Sequence, residues 1–94
     1  MAKYKIAATA TFERQYKKMK KRGKDMLLMK EVVDCLAEGN PLPEKNRDHA
    51  LTGNWNGYRE CHILPDWIMI YQIIEERLIL SLIRTGTHSD LFNK

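Results

Sequence analysis

The hydrophobic and polar positions of the chain follow a strand-like pattern first and a helical pattern soon after. Residues 4–9 broadly alternate in side-chain character, which predicts a short first strand. From about Thr11 the apolar residues take the i, i+4, i+7 spacing of one helical face, at Phe12, Tyr16 and Met19. Gly23 ends this helix, and Asp25 is a typical N-cap for a second one. The first half of the chain therefore predicts a strand followed by a helical hairpin.

Strand-like segments separated by turn residues fill the second half. Gly39 and Pro41 end the second helix, and a polar loop covers residues 38–48. The strand-like segments that follow are residues 50–51, 58–64, 68–74 and 78–84. Gly86 breaks the last of them and leaves a tail at 87–94. This order predicts an α+β fold in which the helices cover one face of an antiparallel sheet of three to four strands, and the partly open opposite face is a natural place for a site.

The length of 94 residues predicts a single domain spanning 1–94. Lys3 and Lys5 interrupt the N-terminus without an apolar segment after them, so we expect no signal peptide. No apolar run approaches the length of a membrane span. Cys35 and Cys61 lack CxxC spacing, which indicates two reduced thiols. We therefore expect a cytoplasmic protein that does not contact membranes.

The net charge of +4 is unevenly distributed. Residues 1–30 contain ten lysines and arginines and two acids, whereas the rest of the chain contains six bases and ten acids. Most of the excess belongs to a basic cluster formed by Lys17, Lys18, Lys20, Lys21, Arg22 and Lys24. Such a cluster attracts the phosphates of nucleic acids, and it is also typical of a solvated helix end. Charge alone leaves both interpretations open.

All the histidines lie in the second half, beside turns or on a strand: His49, His62 and His88. If the strands pair with their neighbours, the end of the 58–64 strand lies near the start of the tail. Histidine suits proton transfer because its pKa is near neutrality. RNA cleavage by the 2′-hydroxyl needs a base, an acid and positive charge for the phosphorane. The histidines, Asp66 and Arg84 supply these groups without a metal, and Glu60 is a weaker candidate on the same strand face as His62.

Other interpretations of these residues remain open. Each histidine can be an ordinary surface or core residue, and Asp66 after Pro65 is a common turn former. The aromatic residues that most often serve as core are Trp55, Trp67 and Phe92. A zinc site is a further use for His49, His62, Asp66 and His88, but no compact H-x₃-H or HExxH spacing supports one.

Several strings between residues 48 and 92 form a specific pattern. They are DHAL at 48–51, GxWxGYRE at 53–60, CHI at 61–63, PDW at 65–67, RTGTH at 84–88 and SDLF at 89–92. In their order and spacing these strings resemble the YafQ branch of the RelE/ParE toxin superfamily. The first half resembles that family in architecture, with residues that are less diagnostic.

The resemblance implies a RelE-like fold and a ribosome-dependent endoribonuclease of a type II toxin–antitoxin system, which cleaves messenger RNA in the ribosomal A site. It places catalytic roles at His49, His62, Asp66 and His88, and substrate binding at Trp67, Arg84 and Phe92. Because the sequence has no compact metal-ligand motif, we expect no metal and no cofactor. His88 is the expected acid for the leaving oxygen, and the identity of the base stays open. The implied partners are the ribosome, messenger RNA and a DinJ-like antitoxin.

In this family the antitoxin carries the DNA-binding domain, so we expect no DNA binding by this chain alone. The alternative within the superfamily is a ParE-like toxin that binds a protein target such as gyrase. Such a toxin needs no acid–base groups, so the histidines favour the nuclease.

Overall fold

The computed structural model describes residues 2–92 and confirms the α+β fold. Its strands are β1 (Lys5–Ala8), β2 (His49–Ala50), β3 (Arg59–Leu64), β4 (Trp67–Ile74) and β5 (Ile79–Gly86). Its helices are α1 (Ala10–Lys21), α2 (Met26–Ala37) and α3 (His88–Phe92). In the described range no helix is both long and apolar enough to cross a membrane. The last two residues of the predicted tail, 93–94, lie outside the described residues.

The strands form one mixed sheet in the order β1-β5-β4-β3-β2. The four strands β2 to β5 are antiparallel, as predicted. β1 lies parallel to β5 at the edge of the sheet. The alternation of a strand carries no information about the direction of its neighbour, so the sequence pattern did not specify this pairing.

The helical hairpin forms where the capping residues predict it. The side chain of Thr9 accepts a hydrogen bond from the Phe12 amide, and that of Asp25 accepts one from the Leu27 amide. Both caps satisfy amides that the first helical turn leaves unpaired. The apolar faces of α1 and α2 pack on one face of the sheet and form the core, which includes Phe12, Met19, Met29, Val32, Leu36, Cys61, Met69, Tyr71 and Leu80. Burying each large apolar side chain contributes about 1.5–3 kcal/mol.

The strand register places polar residues in rows on the opposite face. His49 pairs with Glu60, Glu60 with Ile70, and Ile70 with Arg84. In the next row His62 pairs with Ile68, and Ile68 with Gly86. Directly paired residues of neighbouring strands point to the same side of a sheet. This face therefore gathers two of the predicted histidines, Glu60 and Arg84.

Most strand boundaries lie within about two residues of the sequence-based prediction, and three differences concern the site. β2 begins at His49 and ends at Ala50, one residue earlier at each end than the predicted strand at 50–51. β5 continues through Gly86, where the pattern placed a break. The tail after Gly86 forms the short helix α3, with His88 as its first residue. Contacts between distant parts of the chain, described below, hold this helix in place.

Candidate active site

A buried carboxylate lies at the centre of the polar face. The side chain of Glu60 is 7% exposed. Its Oε1 atom lies 3.6 Å from Nε2 of His49 and 3.5 Å from Nε2 of His62. The sequence pattern ranked Glu60 below Asp66, although the alternation of β3 already placed it on the same face as His62. Its pairing with His49 across the sheet was the signal that the sequence alone did not provide.

Backbone carbonyls fix the orientation of both imidazole rings. Nδ1 of His49 lies 2.7 Å from the Arg47 carbonyl oxygen, and Nδ1 of His62 lies 3.2 Å from that of Pro65. A carbonyl oxygen only accepts hydrogen bonds, so each Nδ1 carries the proton that it donates. Each Nε2 atom is thereby left to face Glu60.

A network around Asp48 holds β2 beside β3. The Asp48 carboxylate accepts hydrogen bonds from Nε of Arg59 at 3.2 Å and from the Tyr71 hydroxyl at 2.5 Å. Burial, and then the hydrogen bond to Asp48, raises the pKa of Tyr71 well above its ordinary value, so this hydroxyl stays a donor. Because Asp48 directly precedes His49, the network also positions that histidine.

His88 closes the cluster from the start of α3. Its ring centroid lies 5.5 Å from that of His62. Ligand atoms of Glu60, His62 and His88 all lie within 4.8 Å of one another. Asp66 lies at the rim instead, with a side chain that is 77% exposed and an Oδ1 atom 3.8 Å from Nδ1 of His88. The structure thus brings His62 and His88 together, links His49 to them through Glu60, and leaves Asp66 at the periphery.

Arg84 and Phe92 border the same cluster, where Trp55 joins them. The guanidinium carbon of Arg84 lies 5.5 Å from the centroid of the Trp55 ring. The Phe92 ring lies 6.5 Å from that of Trp55 and 6.2 Å from that of His88. Within residues 2–92 the buried Nε atom of Arg84 has no hydrogen-bond partner. An arginine held against an aromatic face with a free donor is suited to binding an anion.

Trp67 does not lie at the site surface. Its side chain is completely buried, and its indole N–H donates to the Thr85 hydroxyl at 3.0 Å. The Thr85 hydroxyl in turn donates to the Ile68 carbonyl at 2.9 Å. The predicted contact between Trp67 and the substrate is therefore wrong for this structure, because the indole packs in the core behind the sheet. Trp55, which the sequence pattern assigned to the core, is the tryptophan beside the site.

A β-bulge in β5 turns Arg84 toward the site. Leu82 pairs with Tyr71 and belongs to the core, whereas Arg84 pairs with Ile70 on the polar face. Residues two apart share a face in a regular strand, so the extra residue Ile83 is what separates them. Hydrogen bonds with the N-cap of α1 and with a residue within α1 stabilise the bulge. The Thr9 hydroxyl donates to the Ile83 carbonyl at 2.9 Å, and the Gln15 side chain accepts from the Thr85 amide at 3.0 Å.

An ion pair attaches α3 to α1. Nη1 and Nη2 of Arg22 lie 2.7 Å and 3.2 Å from the two carboxylate oxygens of Asp90. The same carboxylate accepts from the Thr87 amide at 3.0 Å. The hydrogen bond from Arg22, followed by that from Thr87, holds the pKa of Asp90 well below its ordinary value. A Cβ at Gly86 would lie only 3.0 Å from the Asp90 Cβ, so glycine permits this close approach.

The cluster also contains a possible set of metal ligands. Glu60, His62 and His88 offer one carboxylate and two imidazoles at the mutual spacing given above. Such a donor set is typical of zinc and of copper. It differs from the set considered from the sequence, because Glu60 takes the place of Asp66 and His49 is not part of the group.

Comparison with known proteins identifies the family. Residues 4–93 match the family model described as the bacterial toxin YafQ of a type II toxin–antitoxin system. The chain belongs to the YafQ toxin family. It is 40% identical over 88 residues to the mRNA interferase toxin YafQ of Escherichia coli K12, covering 93% of this chain and 94% of that protein.

Solved structures agree with this assignment and with the RelE-like fold. The crystal structure of the E. coli DinJ-YafQ toxin-antitoxin complex matches with a TM-score of 0.87 and 38% identity, covering 96% of this chain and 98% of the matched chain. The metal-bound toxin from Helicobacter pylori matches with a TM-score of 0.90 and 39% identity, covering 98% and 100%. The predicted family resemblance is thereby confirmed over residues 4–93.

Proposed function

We propose that this chain is a toxin that cleaves messenger RNA on the ribosome, and that the cluster around Glu60 performs the reaction without a metal ion. The observation that carries the proposal is the buried Glu60 carboxylate between two imidazole Nε2 atoms, on the same sheet face as Arg84. Groups of this kind supply a base, an acid and positive charge. The E. coli relative, an mRNA interferase, supports messenger RNA as the substrate.

In the proposed reaction the 2′-hydroxyl oxygen of the RNA attacks the neighbouring phosphorus as the bond to the 5′-oxygen breaks. We assign the base to the Glu60–His62 pair, since Oε1 and Nε2 lie 3.5 Å apart and Glu60 stabilises an imidazolium that forms beside it. His49 faces the same carboxylate and is the second candidate. Asp66 is disfavoured by its high exposure. The products are a 2′,3′-cyclic phosphate and a free 5′-hydroxyl.

His88 is the proposed acid for the leaving oxygen. It lies on the opposite side of the cluster from β2 and is exposed enough to reach a bound strand, with a side chain that is 46% exposed. Arg84 offsets the charge of the phosphorane with the donor that has no partner in the described chain. Phe92 stacks on a base, an interaction worth roughly 1–3 kcal/mol.

Partners of the proposed toxin follow from its family and from its charge. We infer a DinJ-like antitoxin because the E. coli relative forms a DinJ-YafQ complex. The basic cluster at the end of α1 and in the turn that follows is mostly exposed and provides contacts to ribosomal RNA phosphates. This activity places the chain in the cytoplasm with the ribosome, and the DNA-binding role belongs to the antitoxin.

A modified message tests the mechanism. Ribosomes carry a synthetic message in which the 2′-hydroxyl just 5′ of the cut is replaced by hydrogen, and the matched control carries the same replacement one nucleotide further upstream. We expect the first message to stay intact, the control to be cut, and the product of an unmodified message to end in a cyclic phosphate and a 5′-hydroxyl. Chelators are unsuitable because ribosomes themselves need magnesium.

Three results would change the assignment. Efficient cutting of the deoxy-substituted message, or a 5′-phosphate on the product, would refute 2′-hydroxyl attack. The metal-bound H. pylori relative makes a metal-assisted reaction at Glu60, His62 and His88 the specific alternative in that case. Toxicity without any cut message would instead favour a ParE-like toxin that binds a protein.

A further inference from the structure

A small cationic pocket lies next to the proposed active site. Its volume is about 180 Å³, and it is lined by Lys45, Arg47, His62 and Pro65. His62 borders both the active site and the pocket, since its Nε2 atom faces Glu60 while its Nδ1 atom faces the Pro65 carbonyl. The lining contains no acid, and over residues 2–92 neither Lys45 nor Arg47 takes part in a salt bridge. The pocket therefore presents two uncompensated positive charges on the far side of the His62 ring from Glu60.

The turn that carries these cations is fixed to both histidines. Asn46 is 4% exposed, and its side-chain amide donates to the His62 carbonyl at 2.8 Å. Arg47 adopts the left-handed conformation, with φ 45° and ψ 45°, and its carbonyl accepts from Nδ1 of His49. A left-handed residue other than glycine costs free energy, and such residues cluster at functional sites. This conformation allows one residue to orient His49 and to line the pocket at His62.

We propose that this cationic pocket binds a phosphate of the message next to the phosphate that is cut. Lysine and arginine side chains held in a fixed turn are suited to a backbone phosphate. In the proposed reaction Arg84 binds the phosphate that is cut, so Lys45 and Arg47 are free to bind a different phosphate of the same RNA. The inference rests on the proposed function and adds a subsite that aligns the RNA across His62. Phosphate contacts carry no base information, so the subsite does not alter the choice of cut positions.

Neutralising the two cations tests the subsite. Cutting of a synthetic message on ribosomes is measured with toxin in excess, which separates the maximal rate from the toxin concentration at half-maximal rate. For Lys45→Gln and Arg47→Asn we expect that concentration to rise about tenfold each, with the maximal rate within about twofold. Asparagine tolerates the left-handed turn, so Arg47→Asn removes the guanidinium and keeps the backbone. Arg47→Lys should recover most of the loss, whereas Arg77→Gln, at the other end of β4, should leave both quantities unchanged.

A neutral linkage in the message identifies the phosphate. Methylphosphonates are placed one at a time at the linkages on either side of the cut, each with a 2′-deoxy sugar that prevents its own cleavage. At one of the two positions the neutral linkage should raise the half-maximal concentration of the wild-type toxin about tenfold. The same linkage should raise that of the Lys45→Gln variant little further. If the variant's defect stays the same with every message, the pocket binds ribosomal RNA and the proposal is wrong.

Binding of a fluorescent single-stranded RNA hexamer separates this proposal from the proposed function. In the double variant Lys45→Gln/Arg47→Asn the salt slope of binding should become shallower by about 0.7 for each cation removed. If the wild-type toxin cuts no message, but its salt slope of RNA binding still differs from that of the double variant as expected, the proposed function alone is refuted. A wild type that cuts normally, with unchanged half-maximal concentration and salt slope in the variants, would refute the subsite alone. Melting temperatures of the variants establish that each is folded.

Discussion

Replacing Thr85 by valine should destabilise the protein without removing volume from the core. Thr85 is 1% exposed, and its hydroxyl joins the Trp67 indole to the Ile68 carbonyl. Valine keeps the shape and leaves the buried indole N–H without a partner. An unpaired buried donor costs about 1–3 kcal/mol, and the lost bond to Ile68 adds about 0.5–1.5 kcal/mol. Urea unfolding followed by far-ultraviolet circular dichroism should show a loss of ~2–4 kcal/mol in the free energy of unfolding.

A double-mutant cycle assigns this loss to the Trp67–Thr85 pair. Trp67→Phe removes the indole N–H, so Thr85→Val should cost less in that background, with a coupling of about 1 kcal/mol or more. An equal cost in both backgrounds would refute the hydrogen-bond argument. The same variant tests the position of Trp67, because cleavage per folded Trp67→Phe molecule should stay within about twofold of wild type. A loss on the order of 10²-fold in a folded protein, the size expected for a catalytic group, would restore Trp67 to the substrate site.

Three further predictions concern the site and its supports. His88→Ala should lower the cleavage rate by about 10²–10⁴-fold at unchanged melting temperature, with Ser89→Ala as the control, and a fully toxic His88→Ala protein would contradict its role as the acid. Neutralising four lysines of the basic cluster should weaken ribosome binding and leave the cut positions unchanged. The four are Lys17, Lys18, Lys20 and Lys21. Unaltered ribosome affinity at moderate salt would contradict docking by this cluster. The lowered pKa of Asp90 means that its ionised form stabilises the fold above pH ~4, the ordinary carboxyl pKa, and that this contribution is lost as the pH falls below it. Urea unfolding should therefore find Asp90→Asn less stable than wild type at pH 7 and closer to it at pH 2, whereas an equal difference at both values would contradict the ion pair.

The sequence predicted elements whose signals are local. Thr11 and Gly23 marked α1 to within one or two residues, and Asp25 is the observed N-cap of α2. The alternation in β3 placed Glu60 and His62 on one face because the side-chain period of a strand is two. The family strings then gave the site residues that the sequence predicts on that face. The helix and strand inferences depend on residues that are close together in the chain, and each family string is itself a short local segment.

The features that the sequence missed depend on contacts between distant residues. α3 has only five residues and none that is buried, so its helical propensity alone is too weak to reveal it. Its ion pair joins Arg22 to a residue 68 positions away. The bulge at Ile83 depends in the same way on Thr9, which is 74 positions from Ile83, and on Gln15, which is 70 positions from its partner Thr85. A strictly alternating β5 would have placed Arg84 on the same face as Leu82.

The polar groups at the centre of the site are costly for the fold. Glu60 lies beside the fully buried Ile70 in the sheet, where an apolar side chain would avoid the cost of removing a carboxylate from water. The imidazoles that face it lie beyond direct hydrogen-bond distance, so they compensate for that cost only in part. The buried Nε of Arg84 adds a second donor without a partner in the described chain. In the proposed reaction a bound phosphate would satisfy the Arg84 donor, and proton exchange with His62 would use the Glu60 carboxylate. The cost to stability thus falls on the groups that the proposed reaction requires, as expected where activity and stability conflict.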